Sequence, residues 1–560
     1  MKSLKHIISA IILTVGLASC VGDLNVKPID PSMLSEEDAL QTEQDYFNLL
    51  TSCYAGFAMS GNTGPGSSTI SGLDPGASQY FRGRYHLNGL TTDEAVCGWN
   101  DQTIQDLHAM TWTTSDVFVA SFYYRIGYQI SACNNFIRLV NKATIELPEK
   151  AKWIAEARAL RAFCWMDGID CFGNMPFSDE NMKVGLDMPE RKTRAELFEY
   201  TVSELKNLLE GNDLPEYGEG GYGRVDKSMA AMVLAKLYLN AEVYIGEPKY
   251  QECADVLNKL ETKYSLHDEN TIHGTGENAY QELFLADNDL CTDEVIWAVQ
   301  QDGIKTQSYG VTNYIIFAST GGDMNPEAVG ISSGWGGIRT TPQMYDKFEE
   351  GDMRKLFYDK ETQRAWWEIQ YGEYEEGISG DEKVLSFEEW VEDQKKVEQQ
   401  KEIGIITEFT HGYAFMKYKN ILSNEDKAQS TGFVDVDFPV FRYADALLML
   451  AECELRGATL KGIQGLAALN KVRARAGLDP LASLTAEDIL DERACELYLE
   501  GWRRSDLIRF GKFTSDSYLW AWKGDNKDGQ GVSSHLALFP IPDNDLISNT
   551  NLVQNPGYKN

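Results

Sequence analysis

The chain has 560 residues, of which 43% are hydrophobic and 24% charged, and its formal net charge is -34 at pH 7. This length allows a large folded core. The negative charge excludes nucleic acid and anionic lipid head groups as partners, because like charges repel, and it suits neutral ligands or cations.

The first twenty residues predict an exported lipoprotein. Two lysines precede an apolar run that ends at Ser19. The run is about half of the ~20 residues that a membrane-spanning helix needs, so residues 1–19 are typical of a cleaved signal peptide. Its last residues, Leu17-Ala18-Ser19-Cys20, match a bacterial lipobox. We therefore predict lipidation of Cys20. Two or more acyl chains attached there would anchor the protein stably in a membrane. An ordinary signal followed by a coincidental cysteine is the alternative.

Residues 20–40 are predicted to be a tether between the lipid anchor and one folded domain over residues 41–560. The start of this segment, "VGDLNVKPIDPS", is polar, contains two prolines and lacks periodicity. Nine cysteines follow Cys20, and they are scattered without C-x-x-C spacing. We interpret most of them as small buried apolar residues, with a single disulfide left open because the compartment is exported.

Helical periodicity is present towards both ends of the folded part. Helices are predicted at 40–58, 117–141, 149–173, 193–210, 226–245, 249–262, 443–457, 463–476 and 486–510. The centre, about 263–440, is aromatic, rich in glycine and mixed, with one charged helix near 387–402, and the last fifty residues are irregular. Successive helix pairs suggest a mainly α fold of solenoid type, although the repeats are too degenerate for periodicity alone to establish it.

Two glycine motifs lack the context that catalysis or nucleotide binding requires. The G-x-S-x-G match at 330–334 is followed by "WGGIRTTP", which does not begin a helix, so an esterase is disfavoured. The G-x-G-x-x-G match at 218–223 does not follow a strand and indicates a loop. An H-E-x-x-H pattern is absent from the sequence, which argues against a zinc hydrolase.

A stripe of three glutamates stands out near the C-terminus. Glu492, Glu496 and Glu500 are spaced four apart and share one helix face, where like charges repel unless cations neutralise them. One interpretation is a carboxylate metal or acid–base site, but the Glu-x-x-His pattern usual for such sites is absent here. The favoured interpretation is a charged network that locks this helix to its neighbours. The expected cations follow the turn at Gly501: Arg503, Arg504 and Arg509.

Three aromatic residues lie next to glycines in loop-like contexts. They are Trp99 in "CGWND", Tyr309 in "QSYGV" and Trp335 in "SGWGG". A flat ring on a loop suits the apolar face of a sugar, with nearby polar side chains binding the hydroxyls. The alternative is that each ring fills its own loop.

Long stretches of the chain resemble the SusD/RagB family of Bacteroidetes surface glycan-binding lipoproteins. They are "EARALRAFCWMDGIDCFGNMPF", "GRVDKSMAAMVLAKLYLNAEVY", "FRYADALLMLAECELRG", "LNKVRARAGL", "ERACELYLEGWRRSDLIRFG" and "FPIPDNDLISNTNLVQNPGY". The resemblance implies a mainly α, tetratricopeptide-like helical-repeat scaffold (about 41–60, 115–262 and 440–515) carrying an irregular mixed α/loop binding region (about 61–114 and 263–439), followed by an irregular segment over 516–560. It also implies a non-catalytic protein in the outer membrane, facing the cell exterior, whose partner is a SusC-like TonB-dependent barrel.

Further stretches are similar to the starch-binding founder of that family: "ELFLADND", "QQDGIKTQSYG", "SGWGGI" and "FTSDSYLWAWKG". This similarity implies that Trp99, Tyr309 and Trp335 form an arc around a helical α-glucan. It implies that the polar side chains of Asp74, Arg82 and Gln102 assist in glycan binding. At position 102 an asparagine is expected, and this chain has a glutamine instead. It also implies a calcium site at Asp289, Asp435 and Asp437, where extended backbone would put the last two side chains on one face. Solvated surface acids are the alternative there.

The leading hypothesis is a receptor that captures a starch-like α-glucan for import, with no required cofactor and calcium as the one candidate. A surface glycoside hydrolase with two carboxylates is the first alternative. A member of the same family that binds another glycan or peptides is the second.

Overall fold

The computed structural model describes residues 39–183, 185, 187–268, 278–371 and 399–559. The predicted signal peptide, Cys20 and nearly all of the predicted tether lie outside the described residues. So does most of the charged helix predicted near 387–402.

Helices form most of the regular structure. In chain order they are α1 Glu43–Ala58, α2 Tyr80–Asn88, α3 Gln102–Ala109, α4 Val117–Asn141, α5 Lys150–Cys171, α6 Arg194–Glu210, α7 Lys227–Leu239, α8 Ala241–Ile245, α9 Tyr250–Leu257, α10 Ala279–Glu282, α11 Val311–Ser319, α12 Pro342–Tyr345, α13 Lys360–Tyr371, α14 Tyr443–Leu455, α15 Gly465–Arg475, α16 Ala486–Leu497, α17 Arg503–Arg509 and α18 Asp543–Ser548.

Short strands form three antiparallel pairs. The strands are β1 Ala95–Cys97, β2 Met175–Pro176, β3 Arg191–Lys192, β4 Val295–Val299, β5 Ile338–Thr340 and β6 Phe438–Arg442. The pairs are β1 with β5, β2 with β3, and β4 with β6. Two of them join segments more than a hundred residues apart in sequence: β1 with β5 joins the two parts of the predicted binding region, and β4 with β6 ties the irregular centre to the C-terminal helices.

Local side-chain chemistry sets several helix boundaries. Capping boxes begin three of the helices: Thr42 with Asp45, Thr193 with Glu196, and Thr485 with Asp488. The helix predicted over 486–510 is wrong in its middle, because the backbone turns left-handed at Leu499 (φ 64°) and Gly501 (φ 74°) and splits it into α16 and α17. Apolar residues on both sides of this turn hide it from the periodicity.

Neighbouring helices pack in sequence order. α4 packs on α5, α5 on α6, α6 on α7, α7 on α9, α9 on α14, and α14 on both α15 and α16. The predicted mainly α helical-repeat scaffold with an irregular centre is therefore confirmed. The main hydrophobic core has members from Tyr46 to Leu552. All nine cysteines after Cys20 are buried and free, which confirms their interpretation as small core residues.

The glutamate stripe forms a buried ion network. The side chains of Glu492, Glu496 and Glu500 are at most 4% exposed. The cations that contact them are Arg354, Arg442, Arg473, Arg475 and Lys417. Burial alone would raise the pKa of Glu496, but the nearby guanidinium groups lower it to about 2. The structural interpretation of the stripe is therefore correct.

The cations predicted for this stripe are wrong. Arg503 pairs with Asp93 through Nη2–Oδ2 at 2.7 Å. Arg504 pairs with Asp170 at 2.8 Å, and Arg509 contacts Glu452 at 2.7 Å and Asp506 at 2.7 Å. The turn at residues 498–501 points these arginines elsewhere, and the cations of the stripe come from distant segments that sequence proximity does not reveal.

Within the described residues, none of the helices combines the length and apolar character needed to cross a membrane.

We expect Arg442→Met to lower the free energy of unfolding by about 3–5 kcal/mol, because it leaves buried carboxylates without their cation. Lys461→Met is the matched control. It removes an ion pair with Asp255 whose side chains are 72% and 41% exposed, and should cost under about 1 kcal/mol. Urea unfolding of both variants measures the difference. Equal small losses of stability in both variants would contradict a structural role for the buried ion network.

Candidate functional site

An antiparallel strand pair brings Trp99 and Trp335 together. Cys97 on β1 lies opposite Ile338 on β5, so the segment that continues from β1 to Trp99 meets the segment that leads from Trp335 into β5 at one end of the ribbon. The indole Nε1 of Trp99 donates to the carbonyl oxygen of Trp335 at 3.1 Å. The two ring centroids are 6.3 Å apart, with an interplanar angle of 50°.

The segment around Trp335 is fastened to the end of α11 by backbone hydrogen bonds. The amide of Trp335 donates to the carbonyl of Phe317 at 2.7 Å, and the amide of Gly337 donates to that of Ala318 at 2.7 Å. A Cβ at Gly337 would lie 2.8 Å from the ring of Trp99, so the ring occupies the space that any larger residue needs. The glycines around Trp335 therefore permit the close approach of two chain segments.

Tyr309 precedes α11 and is held through its backbone. Nη1 of Arg82 donates to the carbonyl oxygen of Tyr309 at 2.9 Å. The buried amide oxygen of Gln79 accepts from the backbone amides of Arg82 at 2.9 Å and of Val311 at 3.2 Å. Val311 has a φ of 50°, which is strained for a β-branched residue. These bonds fix the loop that presents Tyr309.

The three predicted rings form one surface, here called the aromatic surface: Trp99, Trp335 and Tyr309. The centroids of Tyr309 and Trp335 are 6.1 Å apart with an interplanar angle of 64°, so Trp335 lies between the other two. The side chain of Tyr309 is 39% exposed, and both tryptophans are half-buried. The rings are tilted against one another, so the surface is not flat.

Arg82 lies beside the aromatic surface, with Asp74 nearby. Its guanidinium carbon is 5.4 Å from the ring centroid of Trp99 and 4.5 Å from that of Tyr314, both within cation–π range. Burial lowers the pKa of Arg82. A Cβ at Gly76 would lie 2.3 Å from Nη1 of Arg82 and 3.2 Å from Oδ1 of Asp74, so the two side chains meet around this glycine. Asp74 is exposed.

Gln102 is exposed at the first residue of α3. Its Nε2 donates to Oδ1 of Asp106 at 2.9 Å, one turn along the same helix. This bond joins Gln102 to its own helix. Arg82, by contrast, contacts Tyr309 and Trp99 of the aromatic surface directly. Its role at the site stays a prediction.

A curated relative matches the whole chain. Starch-binding protein SusD from Bacteroides thetaiotaomicron is 32% identical over 585 residues, which cover 100% of this chain and 100% of the relative. The chain belongs to the SusD family. The SusD family model matches residues 293–558, and the resemblance inferred from the sequence is confirmed.

Solved structures of SusD-like proteins share the fold. Surface glycan-binding protein A from Bacteroides fluxus superposes with a TM-score of 0.65 at 21% identity, covering 92% of this chain and 100% of that chain. Surface glycan-binding protein A from Bacteroides thetaiotaomicron, in complex with laminarihexaose, gives a TM-score of 0.67 at 19% identity, with coverage of 92% and 100%.

Two of the acids predicted to bind calcium accept backbone amides. Both carboxylate oxygens of Asp435 accept backbone amides, Oδ1 from Gly303 at 2.8 Å and Oδ2 from Gln429 at 2.7 Å. Oδ1 of Asp437 accepts the amide of Gln301 at 2.6 Å. Across the described residues, no group of three or more His, Cys, Asp or Glu side chains is arranged to hold a metal ion.

Asp289, Asp435 and Asp437 lie near enough for the charges of the first two to raise the pKa of Asp437, and the calcium site stays a prediction. Asp435 and Asp437 do face one way, as alternation predicts, but they face the backbone of residues 301–303. They fasten the loop that leads from β4 to Tyr309. Asp289 is exposed.

Sequence reasoning missed three rings beside the aromatic surface. Tyr314 is buried beneath Trp99 with centroids 5.9 Å apart, and Phe317 is buried beneath Trp335 at 5.0 Å. Phe433 is half-buried and lies 5.6 Å from Tyr309. Phe433 follows Gly432, so the glycine-flanked context that identified the other rings applies to it as well.

The G-x-S-x-G match at 330–334 lies in the irregular segment before Trp335 and is not followed by a helix. This observation agrees with the sequence argument against an esterase.

Burial raises the pKa of Asp437 from its ordinary 3.8 to about 7. The folded state then binds this proton more tightly than the unfolded state does, so the stability from Asp437 is full below pH ~4 and is lost as pH rises towards ~7. We expect Asp437→Asn, whose amide oxygen can still accept from Gln301, to lack this loss. Unfolding measured from pH 4 to 8 should show the wild type losing stability relative to the variant. A constant difference across that range would contradict the shifted pKa.

Proposed function

We propose that this SusD-family protein is a non-catalytic receptor that binds a glycan, of the starch-like α-glucan class, at the aromatic surface. The observation that carries the proposal is the convergence of Trp99, Trp335 and Tyr309. Three separate chain segments deliver them to one exposed, curved surface with ring centroids 6.1 and 6.3 Å apart. Core packing accounts for part of each tryptophan but not for Tyr309, which remains 39% exposed.

The physical basis is the contact between flat rings and sugar faces. A ring that covers a sugar face removes apolar area from water without imposing a fixed hydrogen-bond pattern. Because adjacent rings are tilted by 50° and 64°, the surface suits a chain that curves, as helical α-glucans do, better than an extended ribbon. Arg82 and Asp74 supply a cation and a carboxylate that can bind sugar hydroxyls at the edge of the rings.

The names of related proteins support a glycan ligand. The full-length relative is named as a starch-binding protein, and one structural neighbour was solved in complex with laminarihexaose. Both kinds of glucan therefore belong in the binding tests, and a ligand other than an α-glucan would move the substrate class without removing the receptor role.

The location proposed for this receptor is the outer membrane. The lipobox that ends at Cys20 supports a lipid anchor. Family membership supports a SusC-like TonB-dependent barrel as the transporter that takes up the captured glycan. The net charge of -34 gives no electrostatic barrier to neutral sugars, while it opposes contact with anionic lipid head groups.

We expect Trp99→Ala, Trp335→Ala and Tyr309→Ala each to weaken maltoheptaose binding by about 1–3 kcal/mol, because each removes a large aromatic contact. Single sites of this kind bind in the millimolar to micromolar range, about -4 to -8 kcal/mol, so such a loss can abolish measurable binding. Isothermal titration with maltoheptaose and a cyclic α-glucan measures it.

The control is Tyr217→Ala, which removes a half-buried ring beside Lys259 on the helical scaffold. It should bind as wild type does. Ring variants that fold normally and bind like wild type would rule out the aromatic surface as the site. If the wild type binds laminarihexaose but not α-glucans, the proposed receptor role stands and the proposed ligand class is wrong.

We expect the purified protein to release no new reducing ends from amylose. The site, as described, offers rings, the guanidinium of Arg82 and the carboxylate of Asp74, whereas a glycoside hydrolase uses a pair of carboxylates, and the SusD family is one of binding proteins. A reducing-sugar assay with prolonged incubation measures this, and an active α-amylase serves as the positive control. Amylose hydrolysis that co-purifies with the protein and persists in the Tyr309→Ala variant would favour the hydrolase alternative.

We expect Cys20→Ala to release the protein from the membrane, since the acyl chains attached at this residue would be lost. Metabolic labelling with a palmitate analogue, followed by membrane fractionation, measures both effects. Ser19→Ala keeps a small residue before the cysteine and serves as the control. Label that persists on the Cys20→Ala variant would remove the lipoprotein assignment.

A further inference from the structure

Phe433 continues the row of rings beyond Tyr309. Its centroid lies 5.6 Å from that of Tyr309, with an interplanar angle of 39°. This spacing is close to the 6.1 and 6.3 Å that separate the rings of the aromatic surface. The order along the surface is therefore Trp99, Trp335, Tyr309 and Phe433, with each ring tilted against the previous one.

The hydrophobic core does not account for Phe433. Within the described residues, this half-buried side chain is not among those that pack on the core clusters, whereas Trp99 and Trp335 are. Its aromatic neighbour is the exposed Tyr309. The two residues before it, Thr431 and Gly432, are exposed. Phe433 thus lies at the surface, next to another surface ring, where its burial contributes little to the core.

The loop that carries Phe433 is fixed against the two loops that carry Trp335 and Tyr309. The amide of Ser332 donates to the carbonyl of Thr431 at 2.9 Å. The buried side chain of Asn420 bridges the same two loops, since Nδ2 donates to the carbonyls of Gly330 at 2.9 Å and Ser430 at 2.8 Å. On the other side, Asp435 binds the amide of Gly303. The position of Phe433 is therefore set before any ligand arrives.

An exposed apolar side chain follows the residue whose backbone touches that of Phe433. A Cβ at Gly303 would lie 2.5 Å from the carbonyl oxygen of Phe433, so the two backbones are in contact. The next residue, Ile304, is 58% exposed. Exposed apolar side chains that adjoin a ring surface extend the area available to a ligand.

We propose that Phe433 forms an additional sugar-binding subsite, one position beyond Tyr309, and that it sets the length of glucan chain the receptor holds. This inference rests on the proposed function. A short oligosaccharide fills the aromatic surface and leaves Phe433 uncovered. A longer one adds a sugar whose flat face covers the ring, and its binding gains the extra buried area.

The test compares chain lengths rather than one ligand. Wild type, Phe433→Ala, Phe433→Leu and Phe433→Tyr are titrated with the malto-oligosaccharides from maltotriose to maltoheptaose, or with the laminari-oligosaccharides if wild type prefers them. The leucine variant keeps apolar volume and removes the flat ring, and the tyrosine variant keeps the ring. Thermal unfolding of each variant is recorded. Tyr309→Ala is titrated alongside, since it removes a ring of the aromatic surface itself.

For the longest oligosaccharides we expect Phe433→Ala and Phe433→Leu to weaken binding by roughly 5- to 100-fold. The shortest ligand should bind as it does to wild type, and Phe433→Tyr should match wild type at every length. Tyr309→Ala should weaken all lengths. If the alanine variant fails to fold, the leucine and tyrosine pair decides the outcome.

Two results would overturn the inference while leaving the receptor intact. One is wild-type affinity in the leucine variant at every length. The other is an equal loss at every length, which would mean that Phe433 acts through the position of Tyr309. A wild type that binds neither glucan series contradicts the proposed substrate class, and the subsite inference with it.

Discussion

The position of the aromatic surface depends on the buried guanidinium of Arg442. It contacts Glu294 at 2.6 Å, Glu496 at 2.8 Å and Glu500 at 2.7 Å, and each of these side chains is at most 1% exposed. Glu294 immediately precedes β4 and Arg442 ends β6, so this one side chain fixes the strand pair to the glutamates of the scaffold. β4 leads into the loop of Tyr309, and the segment before β6 supplies the aspartates that fasten that loop.

Such a network contributes geometry more than net stability. The cost of removing charges from water offsets much of the attraction between them, so a buried ion pair is weak as a source of stability but strong as a constraint on position. The same glutamate segment reaches the helix of Arg82, because Nη1 of Arg84 donates to the carbonyl of Glu500 at 3.2 Å. Glu500 thereby contacts both Arg442, which ends β6, and Arg84, which lies in the helix of Arg82.

The surface itself is built from loops, but their backbones are held by specific bonds. Gln79, Arg82 and Asn420 each join segments that are distant in sequence. A receptor of the proposed kind, which relies on ring contacts, gains little from each sugar, so it benefits when few side chains must be ordered on binding. Rings that are already in position make such weak contacts sufficient, and many receptors on one cell add avidity for a polymer.

The sequence by itself determined the helical scaffold, since periodicity and capping residues act locally, and it identified the three rings by their glycine neighbours. It also placed Glu492, Glu496 and Glu500 in a structural network. Only the tertiary structure decided which cations complete that network, because Arg354, Arg442 and Arg475 come from segments that local patterns do not connect. It likewise showed that Asp435 and Asp437 accept the backbone amides of residues 301–303, since that segment lies far away in sequence.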